Sequence, residues 1–359
     1  MLLVVMLFGM AAALLVYGMV DTTSLAAQRD KVTAAALAQA KQALIGRAVS
    51  DDNRPGSLPC PDTDNDGSAE LMVGNDCPSY IGRLPWKTLG LADLRDSDGE
   101  RLWYALSNNF RDDNSAEPIN SDTKGNRTVY HGSTALVFTA EAVAVIFAPG
   151  APFGAQIRDA ANANNSANYL DTTGGVNNAI AGGPFISAQV SATFNDRLLV
   201  VTTADLMPVV EQRVAREMLT LLQSYRAASA CACYPWAAND FNDDSITDRT
   251  RGGVPIDGAL PETWGKGTVP SWIQNNQWGK KFYYAVAPIE TASHSPATTL
   301  TVNAASKNLV LITTGPAGAS RPSLNLPDYL DDAENSNNDD IFQTPSSTAY
   351  ARDRLYTIP

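Results

Sequence analysis

The chain opens on MLLVVMLFGMAAALLVYGMV, a stretch with no charged residue before Asp21. A run of about 20 apolar residues is long enough to cross a bilayer as a helix. The pattern then continues into SLAAQRDKVTAAALAQAKQALIGRAV, with no proline and no glycine before Gly46. Leu25, Val32, Ala36, Ala40 and Leu44 recur near one helical face there, with Arg29, Lys31 and Lys41 mostly elsewhere. The spacing predicts one N-terminal helix of about 45 residues, about 68 Å long. A cleavable signal peptide would instead carry a basic segment ahead of the apolar run and stop at a small-residue cleavage site. Met1 has no basic residue near it, which favours a retained membrane or filament helix.

Beyond the helix the chain repeats itself. GERLWYAL (99–106) returns as GKKFYYAV (279–286), YLD (169–171) returns at 329–331, and NDRLLVV (195–201) returns as RDRLYTI (352–358). The order is the same in both copies, which chance matches of short strings seldom reproduce. A second helix is expected in DLMPVVEQRVAREMLTLLQSYRAA, opened by Asp205 with Pro208 in its first turn. Val210, Val214, Met218, Leu221, Leu222 and Tyr225 stripe one side of it. Short strand-like runs follow each helix, separated by Gly/Asn/Pro-rich stretches. The run STALVFTAEAVAVIFA reads as strand, with a partly helical alternative around TAEAVAV. The fold class expected is α+β: a long N-terminal hydrophobic helix, then two tandem lobes, each a helix packed on a small antiparallel sheet. The segments are 1–24 for the membrane or filament-core half of the helix, 25–203 for the first lobe and 204–359 for the second.

Charge narrows the function. Across 359 residues the formal net charge is −12, which repels a phosphate backbone, so nucleic acid is excluded as a primary partner. Four cysteines and two histidines give little material for a zinc site. Cys60 and Cys77 flank a turn-rich stretch and read as a loop-closing disulfide in an oxidising compartment. A bond between Cys231 and Cys233 across one residue is strained, so free thiols, a bond to another chain and a bond to the first pair stay open beside the choice that they pair with each other. No G-x-S-x-G elbow, Walker loop, H-E-x-x-H or C-x-x-C occurs, and His131 and His294 read as repeat equivalents, so the chain is expected not to be an enzyme. The aromatic pairs Pro85-Trp86 and Pro235-Trp236, with Trp103 and Tyr104, are read as core rather than as a sugar-binding platform.

The candidate chemistry lies in two acidic loops. PCPDTDNDGSAE places Asp62, Asp64, Asp66, Ser68 and Glu70 at relative positions 1, 3, 5, 7 and 9. NDFNDDSITD repeats the spacing with Asp240, Asn242, Asp244, Ile246 and Asp248. Alternating side-chain oxygens with a backbone carbonyl at position 7 suit Ca2+, which takes six to eight hard oxygens. Position 12 holds Val73 and Arg251 rather than a bidentate glutamate, so further ligands would come from Asp76 or Asp96, and from Asp257 in the second copy. The plainer reading is a solvated Asx-rich turn. Recurrence at the same spacing after each helix favours one calcium ion per lobe.

The run ALIGRA…LPCPDTDNDG…LPWKTLGL…LWYALS…NDRLL, from Ala43 to Leu199, resembles large members of the type IV pilin and type II secretion pseudopilin superfamily. The resemblance covers most of the first copy and, more weakly, the second. It implies a precursor cleaved by a prepilin peptidase in the inner membrane of a Gram-negative bacterium, with Met1 as the mature residue. Assembly machinery there would pack identical subunits into an extracellular pilus-like filament or a periplasm-spanning pseudopilus. The chain departs from the family pattern at Val5, where a glutamate is usual, and at Thr22, where a proline is usual. Tip subunits lack that glutamate too, so an anchored or tip-located adhesin is the alternative to a shaft subunit.

Overall fold

The computed structural model describes residues 2–113, 117–132, 136–237, 250–251, 254–255, 257–260, 269–290, 297–316, 330–337, 339–345 and 352–358. Side chains are described from residue 24 onward, apart from 250–251, 254–255 and 259. Helix α1 runs without interruption over Leu2–Ser50, as its Ala/Leu-rich, proline-free sequence favours. Residues 24–32 are exposed, Leu25 and Val32 among them, and burial begins at Thr33. From there Ala36, Leu37, Ala40, Leu44, Ile45 and Ala48 are buried at helical spacing.

The chain divides into two compact units: residues 1–46, 58–111 and 125–202, and residues 47–57, 112–124 and 203–359. In the first, the strands are β1 (Ile81–Arg83), β2 (Trp103–Leu106), β3 (Arg127–His131), β4 (Leu136–Ala142), β5 (Ala144–Ala148), β6 (Thr172–Thr173), β7 (Val176–Asn177), β8 (Phe185–Ser187) and β9 (Arg197–Val201). A four-stranded antiparallel sheet has the order β1-β2-β5-β9, and a three-stranded sheet has the order β4-β3-β8. In the second sheet β3 pairs β4 antiparallel but β8 parallel, with Val129 beside Phe185. Trp103, Ala105, Val145, Phe147 and Val200 point to one face of the larger sheet and form a core with Val129, Phe185 and Tyr169. The alternate residues Tyr104, Leu106, Ala144 and Ile146 are fully buried too, so the central strands are covered on both faces.

The second unit carries α2 (Thr203–Ala228), β10 (Thr250–Arg251), β11 (Val254–Pro255), β12 (Asp257–Ala259), α3 (Ser271–Asn275), β13 (Phe282–Val286), β14 (Leu300–Val302), β15 (Ala305–Lys307), β16 (Leu309–Thr313), β17 (Ile341–Phe342) and β18 (Arg354–Thr357). Its main sheet has the order β12-β13-β16-β18, and its smaller one β15-β14-β17, again with one parallel pair. The strand orders of the two larger sheets of the first unit recur, while the two-stranded pairs β6-β7 and β10-β11 fall at different places in the chain. Helix α2 packs over β16 and β18 with Leu206, Met207, Val210, Val214, Ala215, Met218 and Leu222 buried. It starts at Thr203, ahead of the expected Asp205. Buried Glu211 on α2 meets Arg354 of β18 at 2.5 Å. Tyr104 and Tyr284, both fully buried, each donate to a proline carbonyl far upstream, Pro59 at 3.3 Å and Pro235 at 3.0 Å.

The expected fold class is corrected on two points. The molecule is a mixed α/β structure dominated by strands, with three α-helices among the described residues, rather than an α+β pair of lobes each built from a helix on one small antiparallel sheet. The connections read as loops and the run 133–148 hold the extra sheet. That run splits at Val143 into β4 and β5, which belong to different sheets, and the crossover to β8 makes a parallel pair. The second point concerns the long hydrophobic helix. No helix among the described residues is long and apolar enough to cross a membrane. The part of α1 with described side chains carries Arg29, Asp30, Lys31, Lys41 and Arg47, which makes it charged and amphipathic.

Candidate functional site

The first acidic loop is anchored at both ends. Cys60 is bonded to Cys77, with Cα atoms 5.5 Å apart, and Asp62 exchanges backbone hydrogen bonds with Arg83 of β1 at 3.0 and 2.6 Å. Gly82 permits this approach, because a Cβ there would lie 2.4 Å from the Asp62 carbonyl oxygen. The loop then folds over the half-buried ring of Trp86. Asn65 and Gly67 adopt φ of +65° and +89°, and a Cβ on Gly67 would fall 2.5 Å from Trp86 Cε2.

Carboxylates organise the turn from inside. Asp62 Oδ1 accepts from Asn65 N at 2.6 Å and its Oδ2 from Gly67 N at 2.7 Å. Asp64 accepts from Asp66 N, and Asp66 from Ser68 N. Glu70 Oε1 takes both the backbone N–H and the hydroxyl of Thr63, at 2.9 and 2.5 Å. Asp62, Asp64 and Glu70 thereby bring one oxygen each to within 4.8 Å of one another, the one such acidic cluster among the described residues. Burial pushes the Asp62 carboxyl up, with the charges of Asp64 and Asp66 adding to it, although the two N–H donors oppose the shift. The backbone N–H of Ser68 holds exposed Asp66 below the usual carboxylate range. Nearby cations are otherwise engaged: Arg101 pairs with Asp93 at 2.9 Å and donates to Asn65, and Lys87 donates to the Asp66 carbonyl.

Of the five residues expected in this loop, the structure unites Asp62, Asp64 and Glu70. Asp66 stands outside the cluster, and Ser68, expected to offer its backbone carbonyl, gives its N–H to Asp66. Asp76 is an exposed partner of Tyr80, and the Asp96 carboxylate accepts from the N–H groups of Asp98, Glu100 and Gly150, so neither joins. Asp240, Asn242, Asp244, Ile246 and Asp248 lie outside the described residues, as does His294. Asp257 is buried on β12. Cys231 and Cys233 are bonded to each other. Trp103 and Tyr104 are core, with the Arg83 guanidinium held between Trp103 and Tyr169 at 4.2 and 4.0 Å. The three-carboxylate donor set is all hard oxygen, which suits a hard divalent cation such as Ca2+, Mg2+ or Mn2+ and not a thiolate- or imidazole-seeking metal.

Sequence reasoning passed over a second constellation, although its residues were in the repeated strings. Asp171 and Asp196, 4% and 1% exposed, face each other in the first unit. Asp331 and Asp353 hold the same places in the second. The repetition of YLD and of the Asp-Arg pair was the available signal.

No family model, no curated protein and no solved structure matches the chain.

Proposed function

We propose that the chain is a non-catalytic structural subunit of an extracellular pilus-like or pseudopilus filament, assembled with identical copies through α1 and braced by calcium in the acidic loop. The observation that carries this reading is the burial profile of α1. Leu25 and Val32 of α1 stand in solvent, at 58% and 48% exposure, and present a surface that packing against other helices would cover. The sequence ahead of it carries no charge from Met1 to Val20. Prepilin peptidase and inner-membrane assembly machinery are the partners this reading requires, and the bacterial envelope its place.

In the calcium-braced loop, Asp62, Asp64 and Glu70 would be the ligands. The cation would replace their mutual repulsion with attraction, stiffening the segment that Cys60–Cys77 encloses. Electron microscopy of assembled full-length material tests the reading. Filaments whose yield falls with Leu25→Glu support it; monodisperse particles under every assembly condition overturn it and favour an anchored adhesin.

A further inference from the structure

The two units differ at one carboxyl pair: Asp171 and Asp196 are both buried in the first, whereas in the second Asp353 is buried and Asp331 is exposed. In the second unit, Asp353 Oδ1 accepts from Asp331 N at 2.9 Å, and its Oδ2 accepts from Asp332 N at 3.1 Å and Asn335 Nδ2 at 2.9 Å. Arg352 precedes it, donating its N–H to Asp331 Oδ2 at 2.8 Å and bringing its guanidinium to 3.9 Å. In the first unit, Asp196 Oδ2 accepts from Asp171 N and Asn178 Nδ2, both at 2.8 Å. Asp171 Oδ2 accepts from Asn195 N at 2.8 Å and Asp196 N at 3.3 Å, and its Oδ1 from Gln156 Nε2 at 2.9 Å. The residue in the place of Arg352 is Asn195, which is neutral.

The other charges around the pair are committed elsewhere. Arg197, next along β9, reaches Asp30 of α1 at 2.7 Å. Arg158 pairs with Glu100 at 3.2 Å and donates to the Gly150 and Tyr169 carbonyls. Five N–H contacts thus occupy three of the four carboxylate oxygens, and Asp196 Oδ1 is left buried without an N–H donor. One vacant oxygen facing a second carboxylate matches one hydrogen, whereas a calcium ion needs six to eight oxygens. Two buried carboxylates at contact distance cannot both ionise cheaply.

We propose that Asp171 and Asp196 share one proton and form an alkali-sensitive latch, which ties the start of β9 to the Tyr169–Asp171 turn in the first unit. In the second unit the guanidinium of Arg352 does the work of that proton. Burial pushes the Asp196 carboxyl well up, the charge of Asp171 adding to it, and burial raises Asp171 also. A raised carboxyl stabilises the closed state most below its ordinary value, and that contribution is lost as pH rises through the folded value. Burial raises Asp353 as well, but its neighbour Asp331 is exposed and lies beside Arg352, so the loss is larger in the first unit.

Hydrogen–deuterium exchange of the full chain, corrected for intrinsic rates, tests this between about pH 5 and about pH 9. Protection over 195–201 is expected to fall by up to about tenfold per pH unit until the shared proton is gone, while 352–358 changes less. Asp196→Asn places an amide N–H where the proton sat, and Asn195→Arg imports the charge of Arg352; each is expected to flatten the profile of 195–201. Parallel loss of protection in both strands of the wild-type chain overturns the proposal, and needs no variant. Variants that fold but keep the wild-type pH profile overturn it equally.

Discussion

Replacing Asp64 by Asn separates the two electrostatic states of the acidic loop. Asp64 accepts the backbone N–H of Asp66 through Oδ1 at 3.1 Å, and an asparagine carbonyl can do the same, so the turn survives. One of three negative charges within 4.8 Å is removed. Two unit charges near 5 Å interact by about 1 kcal/mol in water, and the exposure of Asp64 reduces the relief to a few tenths of a kcal/mol. Without calcium, the variant is therefore expected to equal the wild type or exceed it slightly. With calcium the order reverses. A ligand at 100 times its Kd stabilises the wild type by about 2.7 kcal/mol. Losing one charged ligand weakens binding about tenfold or more, which removes about 1.4 kcal/mol of that. For a unit of this size each kcal/mol moves Tm by about 2–4 °C. Thermal melts in chelator and in millimolar calcium read both arms. A wild-type Tm indifferent to calcium refutes the metal site; a variant less stable than wild type in chelator refutes the repulsion argument.

Other expectations follow from packing and covalent structure. Gly67→Ala, at φ +89° and against Trp86, should destabilise by about 1–3 kcal/mol, read by denaturant titration. Tyr104→Phe and Tyr284→Phe each strip a buried hydrogen bond from a proline carbonyl and should cost about 1–2 kcal/mol apiece, additively because they lie in different units. Joint Cys60→Ser and Cys77→Ser replacement opens a loop of 17-residue separation, and a loss of about 3 kcal/mol is expected in chemical denaturation. Calcium affinity, measured by titration calorimetry, should weaken as pH falls, because the raised Asp62 carboxyl takes a proton that competes with the cation.

Much of the duplication was readable from short strings because those strings fill buried places twice. Tyr104 and Tyr284 sit in the matching GERLWYAL and GKKFYYAV segments, and each reaches back to a proline. The smaller sheets were not readable. Strands β8 and β17 are three and two residues long and pair in parallel with β3 and β14, respectively. Neither length nor local pattern announces pairings closed across 53 and 38 intervening residues, respectively. The acidic loop was half readable. Alternation identified Asp62 and Asp64, but the left-handed turns at Asn65 and Gly67 break a two-residue period, so Asp66 swings out while Glu70 returns to the cluster. The acid pair showed only as two repeated strings, because Asp171 and Asp196 lie 25 residues apart and become partners only through the fold. The face of α1 was readable in part: Ala36, Ala40 and Leu44 are buried as the spacing predicts, while Leu25 and Val32 on the same stripe are not.

That difference along one stripe is the basis of the functional reading, and solvent access at Val32 tests it most directly. A Val32→Cys chain, labelled with a maleimide before and after assembly, reports whether the exposed stretch of α1 becomes covered. The account predicts rapid labelling of the free subunit and strong protection in the assembled state. Equal labelling in both states would contradict it.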